Sequence, residues 1–199
     1  MEMKINHIPV AVVITAAGSS TRMGGQKKEY RSLGTGSATV LSAATEAFVS
    51  ALAPQTFSDK GEKIQQKRVD APRPFQLTHV AVTIQPHSGS AGEQAAKEAL
   101  FASPNLKALW EKPFQESVST PQLLFVEGGE SRQESVYKAL QALTNHTEQA
   151  APSGEPEIIL IHDGARPFVT EEIILQVVAA TLEQGAAACG IPPVDTQKE

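Results

Sequence analysis

At 199 residues, with 41% hydrophobic and 20% charged side chains, the chain has the size and composition of one compact domain with a sizeable core. A formal net charge of −5 excludes a general nucleic-acid binder, whose surface must be basic to displace counterions from phosphate, so any anionic ligand has to meet locally concentrated positive charge. The single cysteine, Cys189, excludes an internal disulfide and a cysteine-built metal site, and suits a reducing compartment such as the cytoplasm.

The first predicted element is a strand, Val10 to Thr15, built on the β-branched run Val10-Ala11-Val12-Val13-Ile14. Lys4 followed by the apolar stretch Ile8 to Ala17 faintly resembles a signal peptide, but Pro9 and Thr15 interrupt it and the strand explains it better. No run approaches the ~18 apolar residues that span a bilayer, so a soluble, unprocessed chain is expected. The strand opens into Ala16-Ala17-Gly18-Ser19-Ser20-Thr21-Arg22-Met23-Gly24-Gly25-Gln26-Lys27-Lys28-Glu29-Tyr30. Small residues let backbone N–H groups approach an anion, and Arg22, Lys27 and Lys28 supply positive charge, which is equipment for a nucleoside triphosphate. A P-loop is excluded, because the run from Gly18 has Met23 where its second glycine belongs and no Gly-Lys-Ser/Thr follows Gly24. A dinucleotide fingerprint is excluded by Ser20. Glycine-rich strand-to-helix turns also occur without any ligand; the bracketing basic residues set this one apart.

A helix is predicted over Val40 to Leu52, then an insertion over Pro54 to Thr78, rich in proline, glutamine and lysine and without usable period. A strand at His79 to Gln85, a helix at Gly92 to Ala102 and a strand at Gln122 to Glu127 follow. Ser131-Arg132-Gln133-Glu134 has capping-box spacing and opens a helix over Arg132 to Leu143, with Val136, Leu140 and Leu143 as its apolar stripe. Asn145 to Pro156 reads as a second surface insertion. After a strand at Glu157 to His162, Thr170 with Glu171 and Glu172 caps a helix to Gln184, and a fifth strand is predicted over Gly185 to Ile191. This alternation implies a mainly parallel, three-layer α/β domain. Ligands of such sheets gather at the carboxyl ends of the strands, where Glu127-Gly128-Gly129-Glu130-Ser131 and His162-Asp163-Gly164-Ala165-Arg166-Pro167 join the first loop.

Together these motifs resemble the 2-C-methyl-D-erythritol 4-phosphate cytidylyltransferases of the non-mevalonate isoprenoid pathway. The resemblance rests on Ala16-Ala17-Gly18 through Arg22-Met23 and Lys28-Glu29-Tyr30, on Gly128-Gly129 with Arg132 and Ser135-Val136, on His162 to Pro167, and on Pro193-Val194-Asp195-Thr196-Gln197-Lys198. Molybdopterin guanylyl- and cytidylyltransferases share the first motif; the later two are more selective. The resemblance implies a Rossmann-like nucleotidyltransferase fold and transfer of a cytidylyl group from CTP to methylerythritol phosphate, with Mg²⁺ or another divalent cation assisting.

Carried over position by position, Arg22 and Lys28 correspond to the family's catalytic basic pair, with Lys27 one residue out of register and Glu29 standing where glutamine is usual. Ala16, Ala17, Gly18 and Gly164 match nucleotide-binding positions, and Gly129, Glu130 and Ser135 match those that recognise cytosine and ribose. Taken alone, Glu130 and Ser135 read as ordinary first-turn helix residues. Asp163 matches a position near acceptor and metal, the cation being held mainly by phosphates; Arg166 and Thr196 match acceptor-binding positions. Taken alone, Asp163 is equally a turn residue and Arg166 a surface charge. His162 reads as a packed strand residue without a catalytic part.

The expected organisation is one nucleotidyltransferase domain over residues 1–199, with the insertion at 54–78 and the start of a dimerisation arm at 194–199. Family members continue through that arm into a segment that adds an arginine and a lysine to the site, so a fragment of a longer, homodimeric protein is expected. Two further readings stand beside cytidylyl transfer to methylerythritol phosphate: a ribitol-5-phosphate cytidylyltransferase, and a CTP-binding module without turnover.

Overall fold

The computed structural model describes residues 7–19, 27–53, 75–111, 120–149 and 155–191. Four strands, β1 (Ile8–Thr15), β2 (Phe75–Ile84), β3 (Gln122–Glu127) and β4 (Ile158–Asp163), form one sheet in the order β3-β2-β1-β4. Every pairing is parallel. Five helices connect and follow them: α1 (Val40–Leu52), α2 (Gly89–Leu100), α3 (Pro104–Glu111), α4 (Arg132–Gln149) and α5 (Glu171–Gln184). The three-layer α/β reading of the sequence is therefore the fold.

The unbroken apolar run of β1 follows from burial on both faces. Val10, Val12 and Ile14 pack in one cluster with Leu41, Phe48, Val49 and Leu52 of α1, Leu100 of α2, Leu106 of α3 and Val178 of α5. Ala11, Val13 and Ala81 face the other way, against Ala139 and Leu143 of α4. The small alanines on that face let a single helix lie close to the sheet. Each fully buried leucine or valine contributes about 1.5–3 kcal/mol relative to exposure.

Helix starts follow the local chemistry. Thr39 Oγ1 accepts the Ser42 N–H at 3.1 Å while Ser42 Oγ accepts the Thr39 N–H at 2.8 Å, a reciprocal cap for α1. The same Thr39 hydroxyl donates to the Ala99 carbonyl at 2.7 Å, fastening the start of α1 to the end of α2. Thr170 caps α5 through the Ile173 N–H, as its sequence indicates.

Several expectations are corrected. Gly185 to Ile191 is not a strand: Gly185 sits at φ 81° as the left-handed cap of α5, and residues 186–191 are exposed without a ladder. An apolar run becomes a strand only when a neighbour takes its hydrogen bonds, and no described strand lies beyond β4. β2 begins at Phe75, inside the stretch read as insertion, while residues 54–74 lie outside the described ones. α4 runs on to Gln149, past the predicted end at Leu143 into the second such stretch. α2 starts at Gly89 rather than Gly92, and α3, whose Leu106 and Leu109 are buried, is an addition to the predicted elements.

Candidate active site

Because all four strands are parallel, Thr15, Ile84, Glu127 and Asp163 end at one edge of the sheet. β2 and β3 lie on one side of β1 and β4 on the other, so connections diverge at β1 and leave a crevice at its carboxyl end. The loops there are tied to one another. Ala16 N–H donates to Thr83 Oγ1 at 3.0 Å, Gly128 N–H to the Ile84 carbonyl at 2.8 Å, and Gly164 N–H to the Thr15 carbonyl at 2.9 Å. Thr15 Oγ1 donates to the His162 carbonyl at 3.2 Å.

Of the first loop, residues 16–19 and 27 onward are described; Arg22 lies outside the described residues. Lys27 reaches back across it, with Nζ 3.2 Å from the Ala16 carbonyl oxygen and 2.5 Å from that of Gly18. Burial pushes this ammonium below the usual lysine range, and the Glu29 carboxylate opposes the shift. Lys28 to Tyr30 form a single 3₁₀ turn. Within it Glu29 is 3% exposed and its Oε2 has no hydrogen-bond partner among the described residues. Burial first, then the Glu29 charge, pushes the Tyr30 phenol up to about 12.

The second loop is set by Gly128 and Ser135. A Cβ built on Gly128 would lie 2.4 Å from Ala17 Cβ, 2.7 Å from Ser135 Oγ and 3.1 Å from the Ile84 carbonyl, so only glycine lets this loop close on the first. Ser135 is buried; its hydroxyl accepts the Gly129 N–H at 3.0 Å and donates to the Ser131 carbonyl at 2.9 Å. Ser131 Oγ accepts the Glu134 N–H at 3.1 Å, the cap foreseen for α4, but Glu134 returns to the Glu130 N–H at 2.9 Å rather than to that of Ser131. A hydrogen bond from Lys138, then that Glu130 N–H, holds the Glu134 carboxyl below the usual carboxylate range. Lys138 also donates to the Gly128 carbonyl at 3.0 Å. The Glu130 side chain is exposed.

The third loop turns tightly at Gly164, where a Cβ would meet Ile14 Cγ2 and the Thr15 carbonyl at 3.1 Å. Asp163 Oδ1 accepts the Ala165 N–H at 3.0 Å, and Oδ2 lies 3.7 Å from Arg166 Nε. With the Arg166 side chain 80% exposed, that pair is loose and contributes little to stability. His162 Nε2 lies 2.9 Å from the Arg166 carbonyl, which only accepts, so Nε2 carries the proton; its ring packs 5.0 Å from that of Phe48. That its ring is packed is as the sequence indicates.

Among the sequence-derived candidates, Ala16, Ala17, Gly18, Gly129, Glu130, Ser135, Asp163, Gly164 and Arg166 lie in or beside the loops that leave this edge, and Lys28 opens the 3₁₀ turn farther along the first connection; Thr196 lies outside the described residues. The engagement of Lys27 with the loop is set by the fold rather than by register. Thr83 and Lys138 went unnoticed; the Glu134–Lys138 spacing of four signalled the latter, and nothing local signals Thr83. Among the described residues no group of three or more histidine, cysteine or acidic side chains could hold a metal, and no helix is long and apolar enough to cross a membrane.

Residues 104–199 match the family model of 2-C-methyl-D-erythritol 4-phosphate cytidylyltransferase. Proteins of that name from Bacillus cytotoxicus and Clostridium botulinum are 44% and 48% identical over 75 and 73 residues, covering 38% and 37% of this chain and 29% and 28% of theirs. The Bacillus mycoides protein of that name is 34% identical over 108 residues, 54% of this chain and 43% of its own. The chain thus spans less than half the length of these relatives. Across residues 104–199 the chain is thus similar to the 2-C-methyl-D-erythritol 4-phosphate cytidylyltransferase family, and proteins of that name are similar to it over 73 to 108 residues.

Proposed function

We propose that this chain belongs to an enzyme that transfers a cytidylyl group from CTP to 2-C-methyl-D-erythritol 4-phosphate, giving 4-diphosphocytidyl-2-C-methyl-D-erythritol and pyrophosphate. The observation that carries the reading is that the loops after β1, β3 and β4 leave the same sheet edge, those after β3 and β4 lying within the residues that match that family and that after β1 resembling its first motif. An oxygen of the acceptor phosphate attacks the α-phosphorus, the bond to the bridging oxygen breaks, and its electron pair leaves with pyrophosphate. An acceptor already ionised at neutral pH needs no strong base. The protein's task is to bring two anions together and neutralise the charge that develops.

In this reading Arg22 and Lys28 act at the α-phosphate and leaving group. Ala16, Ala17, Gly18 and Gly164 offer backbone groups to the nucleotide, and Gly129 and Glu130 meet cytosine and ribose. Ser135, whose hydroxyl is engaged by Gly129 and Ser131, contributes by fixing that turn. Asp163, Arg166 and Thr196 serve the acceptor. A divalent cation such as Mg²⁺ supplies charge neutralisation on the triphosphate when bound. One carboxylate fits a hard cation whose other ligands are phosphate oxygens and water, and Asp163 is the residue that would hold it. The enzyme works in the cytoplasm as a homodimer on small molecules.

The test is pyrophosphate release from CTP and Mg²⁺ with methylerythritol phosphate, with ribitol 5-phosphate and with no acceptor. Release that requires methylerythritol phosphate supports the reading. Release that requires ribitol 5-phosphate, or CTP binding without release, replaces it.

A further inference from the structure

We infer that Lys27 is a positioning residue for the first loop, one that turns the Ala17 and Ser19 N–H groups toward a bound polyphosphate by drawing the Ala16 and Gly18 carbonyls to its own side. The inference rests on the proposed nucleotide site for the identity of the anion, and on geometry for the rest.

The Lys27 ammonium lies 3.2 Å and 2.5 Å from the carbonyl oxygens of residues two apart, Ala16 and Gly18. In a trans peptide the C=O and N–H of one unit point in opposite directions, and the described chain has no cis bond. With both carbonyls turned to Lys27, the N–H groups of those same peptide units, Ala17 and Ser19, point away from it. Two such N–H groups on one side of a short loop offer an anion two backbone donors. The loop's root is fixed independently, because Ala16 N–H is held by Thr83 Oγ1 on β2. Among the described residues, a Cβ built on Gly18 meets nothing within 4 Å. The ammonium adds positive potential behind the loop.

Lys27 is partly desolvated where it holds the two carbonyls. The Glu29 carboxylate, two residues on and buried, opposes that desolvation. This accounts for an acidic side chain placed beside the loop of an anion site.

The experiment is calorimetric titration of the chain, and of Lys27→Ala and Lys27→Arg, with inorganic tripolyphosphate and separately with CTP, both with Mg²⁺. In parallel, amide NMR shifts are followed in the unsubstituted chain as tripolyphosphate is added. We expect Lys27→Ala to weaken both ligands by about 10-fold or more, the scale of a lost charge-assisted contact. We expect Lys27→Arg, which keeps charge and two donors, to recover most of the affinity, and the Ala17 and Ser19 amides to shift on binding. Lys27→Ala binding within about 2-fold of the unsubstituted chain overturns the inference, as do unmoved Ala17 and Ser19 amides, which decide the matter even if the variant fails to fold. Lys27-dependent binding of tripolyphosphate without binding of CTP upholds the inference and overturns the cytidylyl-transfer reading. Binding of neither ligand by the unsubstituted chain overturns both.

Discussion

Lys27 and Lys28 are neighbours in sequence, and the fold assigns them different surroundings: Lys27 is engaged with the loop backbone while Lys28 opens the 3₁₀ turn. If Lys28 meets the leaving group, its charge matters most in the transition state. Lys28→Ala in the full-length enzyme is then expected to lower kcat by about 100-fold or more while CTP affinity changes by less than about 5-fold, as steady-state kinetics and titration would read. Equal losses in both would make it a ground-state contact. Tyr30 offers a second check. Its phenol is pushed up from 10.0 to about 12, first by burial and then by the Glu29 carboxylate. The neutral phenol is the form the fold favours, so its contribution to stability is complete below pH 10 and is lost as pH rises toward 12. The chain has two tyrosines. In a Tyr137→Phe background, ultraviolet titration should therefore show phenolate forming near pH 12, and at lower pH once Glu29→Gln removes the second cause. Phenolate forming near 10.0 in the background alone would mean that the 3₁₀ turn is open in solution.

Between elements, the crevice depends on β3 being followed at once by a residue without a side chain, Gly128. Gly128→Ala would drive a methyl against Ala17 Cβ at 2.4 Å and the Ile84 carbonyl at 3.1 Å, neither of which can move without shifting a strand end. A loss of about 1–3 kcal/mol in urea unfolding and a larger proportional loss of CTP affinity are expected; an unchanged affinity would detach this loop from the nucleotide site. The sequence made the ends of the crevice legible for clear reasons. β1, α4 and α5 carry unambiguous periodicity or caps, and the glycine-bearing motifs mark where strands stop. It left α3 hidden because eight residues with two buried leucines give too short a stripe to stand out. It also suggested a strand at Gly185 to Ile191, since apolar content speaks for a strand but says nothing about whether a partner is present to pair with it. In the site, the motif glycines and Asp163 were legible because their types are chosen by backbone geometry. The roles of Lys27 and Thr83 were not, because each depends on a contact between segments that only the sheet order brings together.

The sheet as a whole is covered unequally. Among the described residues, four helices contribute to one face and α4 alone packs on the other. On β4, Ile158 and Leu160 are buried in the larger cluster. Ile159 and Ile161, which pair with Ala11 and Val13 on the α4 side, are 39% and 46% exposed. The position of α4 explains this: among the described residues it packs mainly on β1, β2 and β3. Tyr137 on α4 is likewise exposed, so the chain presents apolar side chains where a packed layer would normally lie. Adjacent residues of paired strands should then differ sharply in energetic weight. Val13→Ala removes fully buried methyls from between sheet and α4 and should cost about 2 kcal/mol. Ile161→Thr, on the next strand in the same layer, gives up only the buried half of its side chain and should cost less than about 1 kcal/mol. Urea midpoints at unchanged slope would measure both. Equal costs would mean that Ile161 is covered in solution, by another copy of the chain or by a segment outside the described residues, and the β4 edge would then be an interface rather than a free surface.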